Sequence, residues 1–311
     1  MKRSTTAGIA GQGFARLGLG ARRLGKRAAR VLERSGLLGP ARAAAPDPAR
    51  TARSPAAPLR IELGGRVALV TGASGELGRV IARTLAACGA DVALHYFEGS
   101  ERAAALAREL SERGVRCLTV QADVTSPESV HAMKLAVGHA LGAVDVLVLN
   151  AVAQYRWQRV LEQPIDDFAG QYRTTVAHSV LLAQAFVPAM IDRGSGRVIG
   201  INTECAMQAF EGQGAYVAGK RGMDGVLRVL AREVGRHGIT VNQVAPGWMV
   251  SDKYRAAGSE RQPDYEAGVP LRRRGYDQDV ANAVAFLASD LAAFVTGVYL
   301  PVCGGNVMPA I

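Results

Sequence analysis

Seven short apolar runs, separated by longer stretches of mixed polarity, set the pattern of the chain from residue 59 onward. They are Arg66–Val70, Val92–Tyr96, Cys117–Ala122, Asp145–Leu149, Arg197–Ile201, Thr240–Val244 and Gly297–Val302. Most of their positions are apolar, as in strands buried on both faces; a strand with one face in water would alternate. The stretches between them read as helices over Val80–Cys88, Glu101–Arg113 and Phe168–Met190, with another carrying Tyr216 and running to about Arg236. Ser126 and Pro127 supply the N-cap and first-turn proline of a further helix. Strands alternating with helices in this rhythm predict an α/β fold with a parallel sheet covered on both faces.

In such a sheet, ligands bind beyond the carboxyl ends of the strands, at the topological switch point. The first strand runs straight into TGASGELG at 71–78 and then a helix. In that arrangement free backbone N–H groups and the positive end of the helix dipole face an anion. Asp123, Asn150, Thr203 and Pro246 follow the ends of later strands and can line the same crevice. Tyr216 and Lys220 stand four apart among good helix formers, so both project from one helix face. A phenol is a poor proton donor or acceptor at neutral pH until a neighbouring ammonium favours its phenolate. Tyr216 is therefore a candidate acid/base and Lys220 its tuner. Thr203, thirteen residues before Tyr216, offers a hydroxyl that can hold a carbonyl oxygen.

With 311 residues, 49% of them hydrophobic, the chain can bury a full core, and no apolar run reads as long enough to span a bilayer. The net charge of +10 suggests nucleic acid until it is located along the chain. Residues 1–60 hold thirteen of the 37 Lys/Arg and two of the 27 Asp/Glu, leaving 24 bases against 25 acids in the remainder. The basicity thus belongs to an extension, residues 1–58, set before a domain of residues 59–311. Phe14, Leu17, Ala21, Leu24, Ala28 and Val31 recur there at three- and four-residue steps between arginines. That is the pattern of a basic amphipathic helix, so residues 1–38 are a candidate for contact with an anionic membrane surface or a partner. Pro40 to Pro58 reads as an Ala/Pro/Arg-rich linker. An organelle transit peptide and a disordered tail without specific function are the alternatives. Phe14 is the only aromatic in residues 1–53, which argues against nucleic-acid binding. Cys88, Cys117, Cys205 and Cys303 are widely spaced and form no metal-ligand pattern; they fit free thiols in a reducing, cytoplasmic compartment.

TGASGELG, Asp123 with Val124, LNAV at 149–152, Thr203, YVAGK at 216–220, ITVNQVAPGWMVSD at 239–252 and the closing TGVYLPVCGG share an order and spacing. Together they resemble the short-chain dehydrogenase/reductase family over residues 59–306. GQGAY, LAREVGRHGITVNQVAPG and FLASDLAAFVTG are most similar to its 3-oxoacyl-thioester reductase branch, while LHYFEGSE with VQADV is also similar to pteridine reductases. The resemblance implies a single Rossmann-type, doubly wound domain with a seven-stranded parallel sheet, a homotetramer or other homo-oligomer, and NADP or NAD as cofactor. It implies hydride transfer between the nicotinamide and a carbonyl or secondary alcohol, of the ketone or 3-oxoacyl type. It places Gly72, Ser74, Gly75, Glu76, Leu77 and Gly78 at the pyrophosphate, and Asp123 with Val124 at the adenine. Asn150 and Ala151 would hold the central strands and cofactor, Tyr216 and Lys220 the nicotinamide ribose, and Pro246, Gly247, Met249 and Ser251 the carboxamide.

The chain departs from the family pattern at several of these places. Glu76 replaces the middle glycine, where a carboxylate repels an anion unless Arg79 or an outward rotation neutralises it. Val152 replaces a glycine, Thr203 a serine, and Thr175 the asparagine that holds a proton-relay water. Tyr96 stands where NAD users place an acid, which favours NADP, although Phe97 and Gly75 leave only Ser100 and Arg102 to meet a phosphate. Tyr155, Phe210 and Trp248 are candidate substrate walls. Residues 251–269 match the family's lid, and Arg272, Arg273 and Arg274 after it are candidates for a carboxylate or phosphate. Cys205 reads as packing and His178 as a helix-surface or interface residue. The rival reading is a catalytically silent dinucleotide-binding protein whose basic tail targets it or holds a partner.

Overall fold

The computed structural model describes residues 60–153 and 156–309. The basic extension, with its amphipathic pattern and expected membrane or partner contact, lies outside the described residues, as does Tyr155.

The Val- and Ile-rich runs form β1 (Val67–Val70), β2 (Asp91–Tyr96), β3 (Cys117–Gln121), β4 (Val146–Leu149), β5 (Gly196–Ile201), β6 (Ile239–Pro246) and β7 (Tyr299–Val302). These make one seven-stranded parallel sheet in the order β3-β2-β1-β4-β5-β6-β7. The chain winds outward from β1 to β3, then crosses back to β4 and winds the other way, so β1 and β4 flank the switch point. Every residue of β1, β4, β5 and β6 is buried, which is why these runs do not alternate.

Between the strands run α1 (Glu76–Ala87), α2 (Ser100–Glu112), α3 (Pro127–Ala140), α4 (Ile165–Gln171), α5 (His178–Arg193), α6 (Cys205–Gln208), α7 (Gly214–Val234), α8 (Asp252–Ala256), α9 (Pro263–Gly268) and α10 (Asp277–Ala288). The expected cap of α3 forms, with Ser126 Oγ accepting from Ser129 N at 3.1 Å and Pro127 in the first turn. Successive strand residues serve opposite faces of the sheet. Val70, Val148 and Ile199 pack with Ile81 and Leu85 of α1 and Val284 and Leu287 of α10. Leu69, Leu147 and Val198 pack with Met133 of α3, Phe186 and Met190 of α5 and Leu227 of α7. Each such fully buried side chain contributes about 1.5–3 kcal/mol.

Two expectations need correction. The helix predicted over Phe168–Met190 is longer, and a π-type turn over Tyr172–Ala177 joins α4 to α5. The resulting 29-residue helix, Ile165–Arg193, is apolar and long enough to cross a membrane by length and composition, contrary to the sequence expectation. Half of its most apolar stretch is buried inside the protein, where it covers the sheet. The second correction is His178. It is 1% exposed rather than on a surface, its Nδ1 lying 3.2 Å from Thr174 O.

His95 on β2 is buried too. Gly72 N–H donates to its Nδ1 at 3.0 Å, so its Nε2 carries the proton and donates to Ala122 O at 3.0 Å. Burial pushes both imidazoles down, His178 to about 3. Both stay neutral in the folded chain but protonate near 6.5 when unfolded. The stability they provide is therefore complete above about pH 6.5 and is lost as pH falls toward the folded values. The urea midpoint should drop between about pH 6.5 and 5, a window above most carboxylates, and His178→Phe should flatten that slope.

Candidate active site

At the switch point, side chains stitch β1 to β4. Thr71 Oγ1 accepts from the N–H groups of Asn150 (2.9 Å) and Ala151 (3.0 Å) and lies 3.2 Å from Val148 O, to which it donates. Asn150 Nδ2 donates to Thr71 O at 2.8 Å and Gly72 O at 3.3 Å. The chain then turns at Gly72, where φ is +67° and a Cβ would meet Ala151 Cα at 3.1 Å. Gly78 lets α1 close on this turn, since a Cβ there would lie 2.2 Å from Gly72 O. The first-turn N–H groups of α1 have no intrahelical partner. Gly72, Ser74, Gly75, Glu76, Leu77 and Gly78 line a cleft of about 830 Å³, which continues past Phe97 and Glu98 to Asp123 and Val124 and past Asn150 and Ala151 to Val152. Asp123 Oδ1 accepts from the N–H (2.8 Å) and hydroxyl (2.7 Å) of Thr125, which fixes its orientation. A glycine turn that admits no Cβ, helix N–H groups facing the cleft, and room between the ends of β2 and β3 fit the diphosphate and adenosine of a dinucleotide.

The proton-handling pair sits one strand further along. Lys220 of α7 is 3% exposed and its ammonium donates to Ile201 O at 2.7 Å. Burial pushes its pKa down to about 8. Its Nζ lies 5.9 Å from the centroid of the Tyr216 ring, one helical turn away. Asn202 Nδ2 ties α7 to β5 by donating to Lys220 O at 3.1 Å and to Gln243 Oε1 at 2.7 Å. Thr203 follows on the same strand end. Its Oγ1 accepts from Cys205 N at 3.2 Å. The Cys205 thiol is held protonated by burial, as a packing residue should be.

Thr175 is placed differently from a water-holding residue. Its hydroxyl donates to Gln171 O and its carbonyl accepts from Ser179 Oγ at 2.7 Å. Thr174, its neighbour, lines the cleft instead. Phe210 is 50% exposed in a loop that pairs with residues 157–163, Gln158 N donating to Gly212 O at 2.9 Å, so it is free to form a wall.

Pro246, at the end of β6, and Gly247 lead into the segment expected to form the lid, where Ser251 precedes α8. Trp248 is its keystone rather than a free wall: Arg274 stacks on Trp248 (4.8 Å) and Tyr254 (4.2 Å). Arg274 also donates to the carbonyls of Trp248, Met249, Ser259 and Glu260 at 2.6–3.3 Å, so it cannot serve the anion role expected of the three arginines. Glu76 lines the cleft, but both of its carboxylate oxygens are engaged, as the alternative of neutralisation by Arg79 requires. Its Oε1 pairs with Arg79 at 2.7 Å and its Oε2 accepts from Lys253 N at 3.1 Å, capping α8 of the lid. His95 and Glu204 are the site's unforeseen members. A histidine closing an apolar strand, and an acid directly after Thr203, are the only signals either left in the sequence.

A Rossmann-type sheet with a dinucleotide cleft and a Tyr/Lys pair at the neighbouring strand end defines a nicotinamide-dependent oxidoreductase of carbonyl and hydroxyl carbons. The family model described as enoyl-(acyl carrier protein) reductase matches residues 72–306. The 3-oxoacyl-[acyl-carrier-protein] reductase FabG of Staphylococcus aureus (strain Mu50) is 40% identical over 243 residues, 78% of this chain and 98% of that protein. The protein of that name from Escherichia coli (strain K12) is 38% identical over 244 residues, again 78% and 98%. A blue fluorescent protein from a metagenomic library, solved in complex with NADPH, superposes with a TM-score of 0.73 at 38% identity, over 79% of this chain and 100% of that one. The chain belongs to the short-chain dehydrogenase/reductase family.

Because Arg79 already neutralises Glu76, Glu76→Gly should change the dissociation constant of a nicotinamide dinucleotide by less than about fivefold, the range of an exposed ion pair. It should also speed amide exchange in residues 252–256. Gly78→Ala, by contrast, should abolish binding followed by nicotinamide fluorescence.

Proposed function

We propose that this chain is an NADP-dependent ketone reductase whose substrates are 3-oxoacyl-type carbonyl compounds, with alcohol oxidation as the reverse reaction. The observation that carries the reading is the buried Lys220 ammonium, fixed on Ile201 O one helical turn from Tyr216 and two residues before Thr203. When bound, NADP supplies or takes up the hydride. The chain's own residues handle the oxygen. Thr203 Oγ1 donates to the substrate oxygen and orients it, and Tyr216 gives up its proton to that oxygen as negative charge develops. Lys220, protonated at neutral pH, stabilises the phenolate left behind and holds the ribose hydroxyls.

Two observations support NADP. The related NADPH complex has the same fold, and Tyr96 ends β2 where an acid would pair with a ribose diol. Arg102, folded against Gly99 at the start of α2, is the cation nearest that end of the cleft in sequence. Exposed Leu291 and Phe294, in the segment before β7, support a homo-oligomer.

Tyr216→Phe should lower kcat by roughly 10²–10⁴-fold while NADPH affinity stays within a few fold, the range of a lost general acid. Undiminished reduction of 3-oxoacyl thioesters by that variant would refute the assignment. Lys220 loses its charge above about pH 8, so kcat/KM for reduction should fall above that pH in a steady-state profile.

A further inference from the structure

Glu204 follows Thr203 directly, and no step above uses it. The residue is 3% exposed and its carboxyl is met by neutral donors, among them the side chains of Tyr265 and Asn306. The Tyr265 hydroxyl donates to Oε1 at 2.8 Å and Asn306 Nδ2 donates to Oε2 at 3.0 Å. Tyr265 belongs to α9 of the lid; its oxygen also accepts from Trp248 N at 2.9 Å, and its ring packs edge-on against Trp248 at 5.5 Å. Asn306 lies in the turn after β7, its N–H bonded to Cys303 O at 3.2 Å. The Glu204 N–H donates to Pro246 O at 2.9 Å. The ends of β5, β6 and β7 and the lid therefore converge on one residue. Gly247 makes the room: a Cβ there would stand 2.6 Å from Tyr265 Oη and 3.0 Å from Glu204 Oε2.

Among the described residues no cation pairs with Glu204, and burial raises its carboxyl pKa against the pull of Tyr265, Asn306 and the Trp248 N–H. A raised acid means that the ionised form costs stability as pH rises through the folded value. Packing alone would be served better by an apolar side chain of similar size.

We propose that Glu204 is a positioning residue whose carboxylate latches the lid, through Tyr265, to the strand end that carries Thr203. Closing over the substrate and setting the hydroxyl that holds its oxygen are then one event. The proposal rests on the carbonyl-reducing reading of Thr203, Tyr216 and Lys220.

The test combines amide exchange of the unliganded full chain with steady-state reduction of a 3-oxoacyl thioester by NADPH, in wild type, Tyr265→Phe and Glu204→Gln. Tyr265→Phe keeps the ring and removes the O–H. It should speed exchange in residues 248–268 about tenfold, the worth of a hydrogen bond to a charged acceptor, and leave α7 unchanged. Its KM should rise by a similar factor with kcat within about threefold, because saturating substrate can still draw the lid shut. Glu204→Gln can restore both bonds once the Asn306 amide flips, so its exchange and KM should stay within about threefold of wild type. Unchanged lid exchange in Tyr265→Phe, a loss confined to kcat, or a Glu204→Gln variant as impaired as Tyr265→Phe would overturn the latch. Faster lid exchange in Tyr265→Phe with no turnover by wild type would keep the latch and overturn the reductase reading.

Discussion

The carboxyl edge of this sheet depends on how β1 and β4 part company. Where parallel strands diverge, backbone groups lose their ladder partners and need side chains in their place. Thr71, fully buried, supplies one oxygen that takes two N–H groups from the end of β4. Asn150 returns the favour to the carbonyls of Thr71 and Gly72. His95 takes the Gly72 N–H and passes a hydrogen bond to Ala122 at the end of β3. Three short polar side chains thus fix the ends of β1 to β4. Each bond contributes about 1 kcal/mol net and more than that when a buried partner is stranded, so the turn has little freedom to drift. The aim of α1 at the cleft follows from that rigidity.

Much of this was legible in the sequence, for a physical reason. Burial on both faces erases alternation, so runs such as DVLVL announce central parallel strands, and the residues after them mark the crevice. Hidden features were those whose partners lie far along the chain: Trp248 and Arg274 are 26 residues apart, Glu204 and Tyr265 61, Glu76 and Lys253 177. No local pattern reports such a contact. His178 misled for another reason. It lies in regular phase with Leu182, Phe186 and Met190 on the buried face of α5, and it misled because an imidazole is more often exposed than fully buried. The same segment passed for a core helix in the sequence and for a possible membrane span by length, and only its packing on the sheet decides between them.

The departures from the family pattern bear on whether the site has decayed. Glu76 is held by Arg79 and the Lys253 N–H, Val152 stands 40% exposed at the cleft, and Thr175 satisfies itself within its own helix. Each change falls where a side chain can be absorbed locally, at little energetic cost. The residues that stay are of the opposite kind. Burial pushes the Lys220 ammonium down to about 8 and pushes the Glu204 carboxyl up, so both charges weigh against folding. An apolar side chain at either place would relieve that burden. A fold that carries two buried, opposed charges at one strand end, beside a hydroxyl and a phenol, is bearing strain that packing does not need. Chemistry at that strand end accounts for it, and a silent dinucleotide-binding protein does not.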